Sequence, residues 1–388
     1  MLAFKKNGDT WGWGYNLYGQ VGNQSITDVT SPVQVVGNHS FIYLNNNMYS
    51  SLAMKQDGTA WSWGRNVEGQ LATGNLDDYS SPVQIVGNHS FKEISLCLRS
   101  SSGLKSDGSV WSWGSNSFGQ LGTNSTVSYS SPVQIVGNHS FRTLHTGYYH
   151  SFAMKDNGEL WGWGDNGSGG LGTNDITNYS SPVQVVGNHS FVSVEASYLF
   201  SIALKSDGTA WSWGSNVYGQ LGTNDTNNYS SPVQVVGGHS FVSIGAGTYH
   251  SFGFKSDGTI WSWGNNSYGQ LGTNDIVSYS SPIQVIGNHN FIHMDVNRYQ
   301  VYALKNNGEW WTWGQNNYGQ LADGTLVDKS SPVQIIGNHN FLSTSNGLEM
   351  SILNGTFKSK PFPFVLIGST WKRVSKAYVL DGQWRRLQ

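Results

Sequence analysis

Residues 251–272 read SFGFKSDGTIWSWGNNSYGQLG, and this stretch decides the fold. SFGFKS (251–256) and TIWSW (259–263) read as two strands with Asp257-Gly258 between them. An Asx-Gly pair in that place predicts a two-residue type I′ hairpin turn, because both central residues of such a turn need positive φ. Trp261 and Trp263 stand two apart and share one face of the pleat, while Ile260, Ser262 and Gly264 take the other. Further out, FVSI (241–244) supplies a strand before the hairpin. PVQVV (232–236) supplies an edge strand, where the missing N–H of Pro232 costs least.

The pattern returns every 50 residues. W-x-W-G begins at Trp11, Trp61, Trp111, Trp161, Trp211, Trp261 and Trp311, without insertion or deletion, and each copy carries an Asn-Gly or Asp-Gly turn and an S-P step. Four strands per copy and seven copies predict an all-β chain folded as a seven-bladed β-propeller over residues 1–357. The middle residue of W-x-W is Gly, Ser or Thr in every copy, so the aromatic face of one blade can lie on the small-residue face of the next. All fourteen tryptophans are therefore expected in the core. The chain also starts out of phase. LAFK (2–5) matches a second strand and FLST (341–344) a first, which predicts a closing blade built from both ends and no open edge.

Composition narrows the functional classes. A net charge of −2 with 11% charged residues, and no Lys/Arg cluster before residue 358, excludes nucleic acid as a partner. A single cysteine, Cys97, excludes an internal disulfide and a cysteine-built zinc site. The 17 Trp, 19 Tyr and 16 Phe are too many for a disordered chain. MLAFKKNGDTWGWG (1–14) has no apolar core of a signal peptide and no apolar run approaches a membrane span, so neither secretion nor membrane insertion is expected.

W-S-W-G-x-N-x-x-G-Q-L-G, as at 261–272, followed by S-P-x-Q-V and A-G-x-x-H-S (246–251), closely resembles the regulator of chromosome condensation repeat, over about 350 of 388 residues. The resemblance implies the seven-bladed propeller and, as in the family's founder, a guanine-nucleotide-exchange or GTPase-binding regulator. The founder's inserted wedge has no counterpart, since the exact repeat leaves no room for one. The G-W-R-H-T motif of the plant UV-B photoreceptor of this fold is absent as well.

Several repeated residues invite chemistry and are read as scaffold. Seven histidines (His39, His89, His139, His189, His239, His289, His339) recur on neighbouring blades, which lie about 10 Å apart. Metal–nitrogen bonds need about 2 Å, so the histidines are expected to hydrogen-bond turns. Seven lysines (Lys5 to Lys305) read as solvated charges, and the repeated Asn16 and Gln20 as loop-organising amides, with Gly170 breaking the glutamine pattern. There is no G-x-S-x-G elbow, P-loop or H-E-x-x-H, so no catalytic residue, metal or cofactor is expected.

Function is expected where the copies differ, in the loop between first and second strands. Tyr49, Arg99, Tyr148, Tyr149, His150, Tyr198, Tyr249, His250, Arg298 and Tyr299 give it the aromatic-plus-arginine composition of recognition surfaces. The tail, 358–388, is different. It holds seven Lys/Arg and one acidic residue, against fourteen and twenty-two in residues 1–357. IGSTWKRV (367–374) and LDGQWRRL (380–387) form a small repeat that resembles C-terminal segments of bacteriophage virion and tail proteins. Trp371, Lys372, Arg373, Tyr378, Trp384, Arg385 and Arg386 would anchor it to an acidic surface. The reading is a non-enzymatic virion structural or adhesion module. Its partners would be virion subunits or a host surface receptor, with a homo-oligomer through the tail. Its location would be the virion, or the cytoplasm before assembly.

Overall fold

The computed structural model describes residues 2–4, 9–287, 289–317 and 319–336, and the backbone of short strands between 351 and 386. Among them every regular element is a strand. Six four-stranded antiparallel sheets and one three-stranded sheet form the blades of a propeller. In the blade quoted first the strands run Ser243–Ala246, His250–Phe254, Ile260–Gly264 and Tyr279–Gln284, paired in that order. The three-stranded sheet joins Leu2–Phe4, Thr10–Gly14 and Val29–Gln34. Residues 341–344, expected to complete it, lie outside the described residues. In the tail, Phe364–Ile367 pairs with Thr370–Arg373, and Tyr378–Leu380 with Trp384–Arg386.

Three details correct the sequence reading. The hairpin turn is not the two-residue type. Gly258 has a φ of +84° but Asp257 is not left-handed, and Gly258 N–H donates to the Lys255 carbonyl at 3.0 Å while Lys255 N–H donates to Thr259 at 3.0 Å. This is a three-residue loop in which one left-handed glycine follows a type I turn. Asp257 belongs there because its Oδ1 accepts from the Thr259 N–H at 2.9 Å and hydroxyl at 2.7 Å. The proline is not at the start of its strand either. The outer strand begins at Tyr279, and Pro282 stands opposite a bulge between Ser262 and Gly264, where the ladder is already interrupted.

The tryptophans are the third correction, since in six copies only the second of the pair is core and in the first copy both Trp11 and Trp13 are partly exposed. Trp63, Trp113, Trp163, Trp213, Trp263 and Trp313 are 0% exposed, whereas Trp61 and its equivalents are partly exposed. Each buried indole inserts into the face of the preceding blade, as Trp113 does against Leu52, Met54, Ala60 and Ile85. Its Nε1–H donates to that blade's main chain: Trp63 to the Gln20 carbonyl at 2.9 Å, Trp213 to Gly170 at 2.8 Å, Trp263 to Gln220 at 3.0 Å. The acceptor is a backbone oxygen, so glycine at 170 serves as well as glutamine. In most blades a serine hydroxyl adds a second donor to the same oxygen, as Ser251 does to Gln220 at 2.8 Å.

The repeated asparagines are scaffold, as expected. Asn216 is fully buried; its Nδ2 donates to the Thr223 hydroxyl and to the Asp225 carbonyl at 3.1 Å, and its Oδ1 accepts from the Leu221 N–H at 2.9 Å. It fastens the long loop between third and outer strands, which fixes everything displayed on that side.

Candidate functional site

The blades have two ends with different chemistry. At the hairpin-turn end, six partly exposed tryptophans, Trp61, Trp111, Trp161, Trp211, Trp261 and Trp311, each carry a histidine and a lysine. The rings of His39 and Trp61 are 4.3 Å apart and those of His239 and Trp261 4.4 Å, while Lys55 Nζ lies 4.4 Å from the Trp61 ring and Lys305 Nζ 4.1 Å from Trp311. The histidines therefore pack at a tilt against the tryptophan rings, and the lysines make cation–π contacts in place of standing free in solvent. Burial, and then the neighbouring lysine, hold His39 and His239 below the ordinary imidazole value. His339 lies outside the described residues. No group of three His, Cys, Asp or Glu that could hold a metal ion occurs among the described residues.

The opposite end carries the divergent loops, and they are tied to one another. Tyr148 N–H donates to the Ser197 carbonyl at 3.2 Å, the Ser197 hydroxyl to the Gly247 carbonyl at 2.5 Å, and Thr248 N–H to the Arg298 carbonyl at 3.2 Å. Arg298 Nη1 then reaches Met48 Sδ at 3.8 Å, so the last four-stranded blade comes round to the first. Asn47 Nδ2 continues to the Cys97 carbonyl at 2.5 Å. Loops bound this way present residues 48–49 and their equivalents in the described copies on a fixed platform.

Above that platform the predicted tyrosines form a network. Tyr148 and Tyr149 pack edge-on against Tyr198 at 5.4 and 5.5 Å, and Tyr198 against Tyr249 at 5.6 Å. Four of the loops also meet an aromatic partner that sequence reasoning missed, on the long loop of the preceding blade. Tyr18 meets Tyr49 at 5.5 Å, Phe118 meets Tyr149 at 5.2 Å, Tyr218 meets Tyr249 at 5.2 Å and Tyr268 meets Tyr299 at 5.1 Å. In one copy the pair is exchanged as a unit, Glu68 and Arg99 forming an ion pair at 3.5 Å. The signal was present in the sequence, since position 18 of each copy, a variable place in the W-x-W-G-x-N-x-x-G string, is Tyr or Phe in five of seven copies.

Arg65 lies 5.6 Å from the Tyr49 ring and Arg298 5.1 Å from the Tyr299 ring. Although burial opposes its charge, Tyr148 and Tyr299 raise the Arg298 guanidinium above its ordinary value. Of the predicted contact residues, the structure thus gathers Tyr49, Arg99, Tyr148, Tyr149, Tyr198, Tyr249, Arg298 and Tyr299 on one face.

His150 and His250 do not belong to it, which corrects their assignment as contact residues. They are 1% and 0% exposed beneath the loops, and burial holds them down to about 4 and about 3. His150 Nε2 pairs with the Ser201 hydroxyl at 3.0 Å. Burial also pushes Glu195 up to about 8, with Asp295 adding to it, and Asp295 itself up to about 7. The tail residues Trp371, Lys372, Arg373, Tyr378, Trp384, Arg385 and Arg386 stand on the hairpin strands named above; their side chains lie outside the described residues.

The 50-residue repeat and the propeller it builds define a class: a β-propeller of regulator-of-chromosome-condensation type. The RCC1-like domain profile matches residues 101–354, and the regulator of chromosome condensation (RCC1) repeat matches residues 57–96. The chain belongs to the RCC1-like domain family. Comparison with curated protein sequences gives no match. Among solved structures it is similar to human WBSCR16, with 20% identity, a TM-score of 0.75, and coverage of 85% of this chain and 95% of that one. Yeast RCC1 (Prp20) bound to Kap60 is similar at 20% identity and a TM-score of 0.74, covering 87% of this chain and 84% of that one. A structure of Prp20p from Saccharomyces cerevisiae, described with its binding properties to Gsp1p and histones, gives 19% identity and a TM-score of 0.75, covering 87% and 88%. At this identity the likeness is one of fold.

Proposed function

We propose that the protein is a non-enzymatic binding module whose loop face engages a partner protein. The observation that carries this reading is the linked aromatic network of the loop face, flanked by Arg65 and Arg298 and held rigid by loop-to-loop hydrogen bonds. Rigid aromatic anchors lose little conformational entropy on binding, and tyrosine and arginine dominate interface energetics. In the finer form of the proposal the partner is a virion subunit or a host surface receptor, and the basic tail builds the disc into a particle. Support comes from the tail's charge, its Trp-Lys-Arg and Trp-Arg-Arg strands, and its likeness to phage virion ends.

The test is a triple variant, Tyr149→Ala, Tyr249→Ala and Arg298→Ala, with folding checked by circular dichroism. It should lose the partner that the wild-type chain retains, and unchanged binding would refute the proposal. Quantitative mass spectrometry of purified particles tests the finer form, which fails if the protein is absent from them.

A second reading, a GTPase-binding regulator, is favoured by the structural likeness to Prp20 proteins, one of which is described with binding to Gsp1p. An exchange assay on small GTPases tests it. No acceleration would refute it, and the exact 50-residue spacing, which leaves no wedge, favours that outcome.

A further inference from the structure

We propose that the opening of the loop face on the propeller axis, at Arg298, receives a single carboxylate, the side chain of an aspartate or glutamate on the partner protein. This rests on the reading of the loop face as the partner-binding end and names the chemistry that its centre selects.

The first strands of neighbouring blades touch one another, as Phe191–Ala196 touches both Thr143–Thr146 and Ser243–Ala246. They converge on the axis, and the loops that follow them ring its opening. Equivalent loop residues Met48, Tyr148, Thr248 and Arg298 reach one another there although their copies are not neighbours. Arg298 Nη1, in the sixth copy, lies 3.8 Å from Met48 Sδ in the first. The Tyr148 phenol acts electrostatically on Arg298 from three copies away, and the Thr248 hydroxyl is turned toward that phenol past Tyr198. Only the centre of a ring brings such residues together.

Donors gather at this opening without an acceptor to match them. Of the arginines on the loop face, Arg99 is taken by Glu68 at 3.5 Å, and Arg65 lies against the Tyr18 and Tyr49 rings at 5.7 and 5.6 Å. Arg298 makes no ion pair among the described residues. Its exposed guanidinium rests on the Tyr299 ring at 5.1 Å and on the Met48 thioether, a weak acceptor. Thr248 is 4% exposed, and its hydroxyl makes no hydrogen bond. Burying a donor in that state is costly, and an anion lying between Arg298 and the two hydroxyls would relieve it.

Charge decides which anion. One guanidinium balances one unit of negative charge, and no second cation stands beside it at the axis among the described residues. The long loops outside the opening carry Asp28, Asp78, Asp175, Asp225, Asp275 and Asp328, each hydrogen-bonded within its own loop. A phosphate or a polyanionic segment would meet these like charges with a single cation to offset them. One carboxylate on an otherwise neutral or basic partner surface avoids that repulsion. Tyr148, Tyr198 and Tyr299 then exclude water from the seated pair, which strengthens the charge-assisted hydrogen bonds.

Selection of random displayed peptides on the immobilised full chain tests this. The expected peptides carry an aspartate or glutamate whose change to the amide weakens binding about tenfold or more. On Arg298→Met, which keeps the side chain's apolar stem, the acid and amide peptides should bind alike. Thr248→Val removes only a hydroxyl from a buried site, so it should fold, and it should weaken the acid peptide about threefold or more. Phosphoserine in place of the acid should bind no tighter. Peptides indifferent to their acidic residue, an amide effect that persists on Arg298→Met, or tighter binding of phosphoserine each overturn the proposal. Glu349 lies outside the described residues; a gain of tenfold or more for the acid peptide on Glu349→Gln would assign the carboxylate to the chain itself and overturn it too. Retained peptides that are lost on Tyr149→Ala and Tyr249→Ala but indifferent to Arg298→Met sink this proposal alone, whereas no retained peptide at all refutes the functional reading beneath it.

Discussion

Trp263→Phe and Trp313→Phe should differ in cost although the two indoles occupy equivalent sites. Both are fully buried in the face of the preceding blade, and both donate to a main-chain carbonyl, Gln220 at 3.0 Å and Gln270 at 2.9 Å. The phenyl ring loses the same volume and the same hydrogen bond in each case, so the packing loss cancels in the comparison. The carbonyls left behind are not alike. Gln220 keeps the Ser251 hydroxyl at 2.8 Å, whereas Gln270 faces Val301, which offers no donor. A buried acceptor without a partner costs about 1–3 kcal/mol beyond the bond itself. Trp313→Phe is therefore expected to destabilise by about 1–2 kcal/mol more than Trp263→Phe, read from urea denaturation midpoints at unchanged slope. In a Val301→Ser background the excess should vanish. Equal losses, or a larger loss for Trp263→Phe, would refute the claim that blade coupling runs through these carbonyls.

Titration gives two further expectations of opposite sign. His150 and His250 fold neutral, so the unfolded chain takes up protons first; the stability they lend is full above pH 6.5 and is lost as the pH falls toward 4. For His150 that is about 3 kcal/mol, measurable as a drop in denaturation free energy that a His150→Phe variant does not show. Glu195 works the other way. Its carboxyl, held up to about 8, contributes most below its ordinary 4.5 and loses that contribution as the pH rises to 8, so Glu195→Gln should stabilise at pH 9 and change nothing at pH 4. Tyr18→Ala and Tyr49→Ala should be non-additive, with a coupling of about 1 kcal/mol in a double-mutant cycle. Gly58→Ala should destabilise by more than about 1 kcal/mol in thermal unfolding, because φ is +81° and a Cβ would lie 2.7 Å from the Phe91 carbonyl oxygen.

The propeller was legible because each strand is repeated seven times at one spacing, and period-two alternation within W-x-W placed the aromatic face. Residue identity alone did not separate Trp61 from Trp63. Both share a face, and only the position of the preceding blade leaves the first at the edge of the interface with room for His39 and Lys55. The turn was misread because Asp-Gly suits two loop lengths, and the lengths differ only in whether aspartate itself must be left-handed. The loop face was found by its variability, which picked out Tyr49 and its equivalents. Tyr18, Phe118, Tyr218 and Tyr268 escaped because they stand about thirty residues away in sequence and meet those loops only through the fold. His150 and His250 were misassigned for a related reason, since a residue next to a loop tyrosine in sequence begins the buried second strand.

The central claim is that one end of the disc carries the partner contact. A photoreactive phenylalanine derivative placed at Tyr249, and in a second preparation at Ser256 in the hairpin turn of the same blade, tests it in a single pair of samples irradiated with the native partner present. The account predicts a covalent adduct from position 249 and none from 256. An adduct from 256 alone, or equal yields from both, would contradict it.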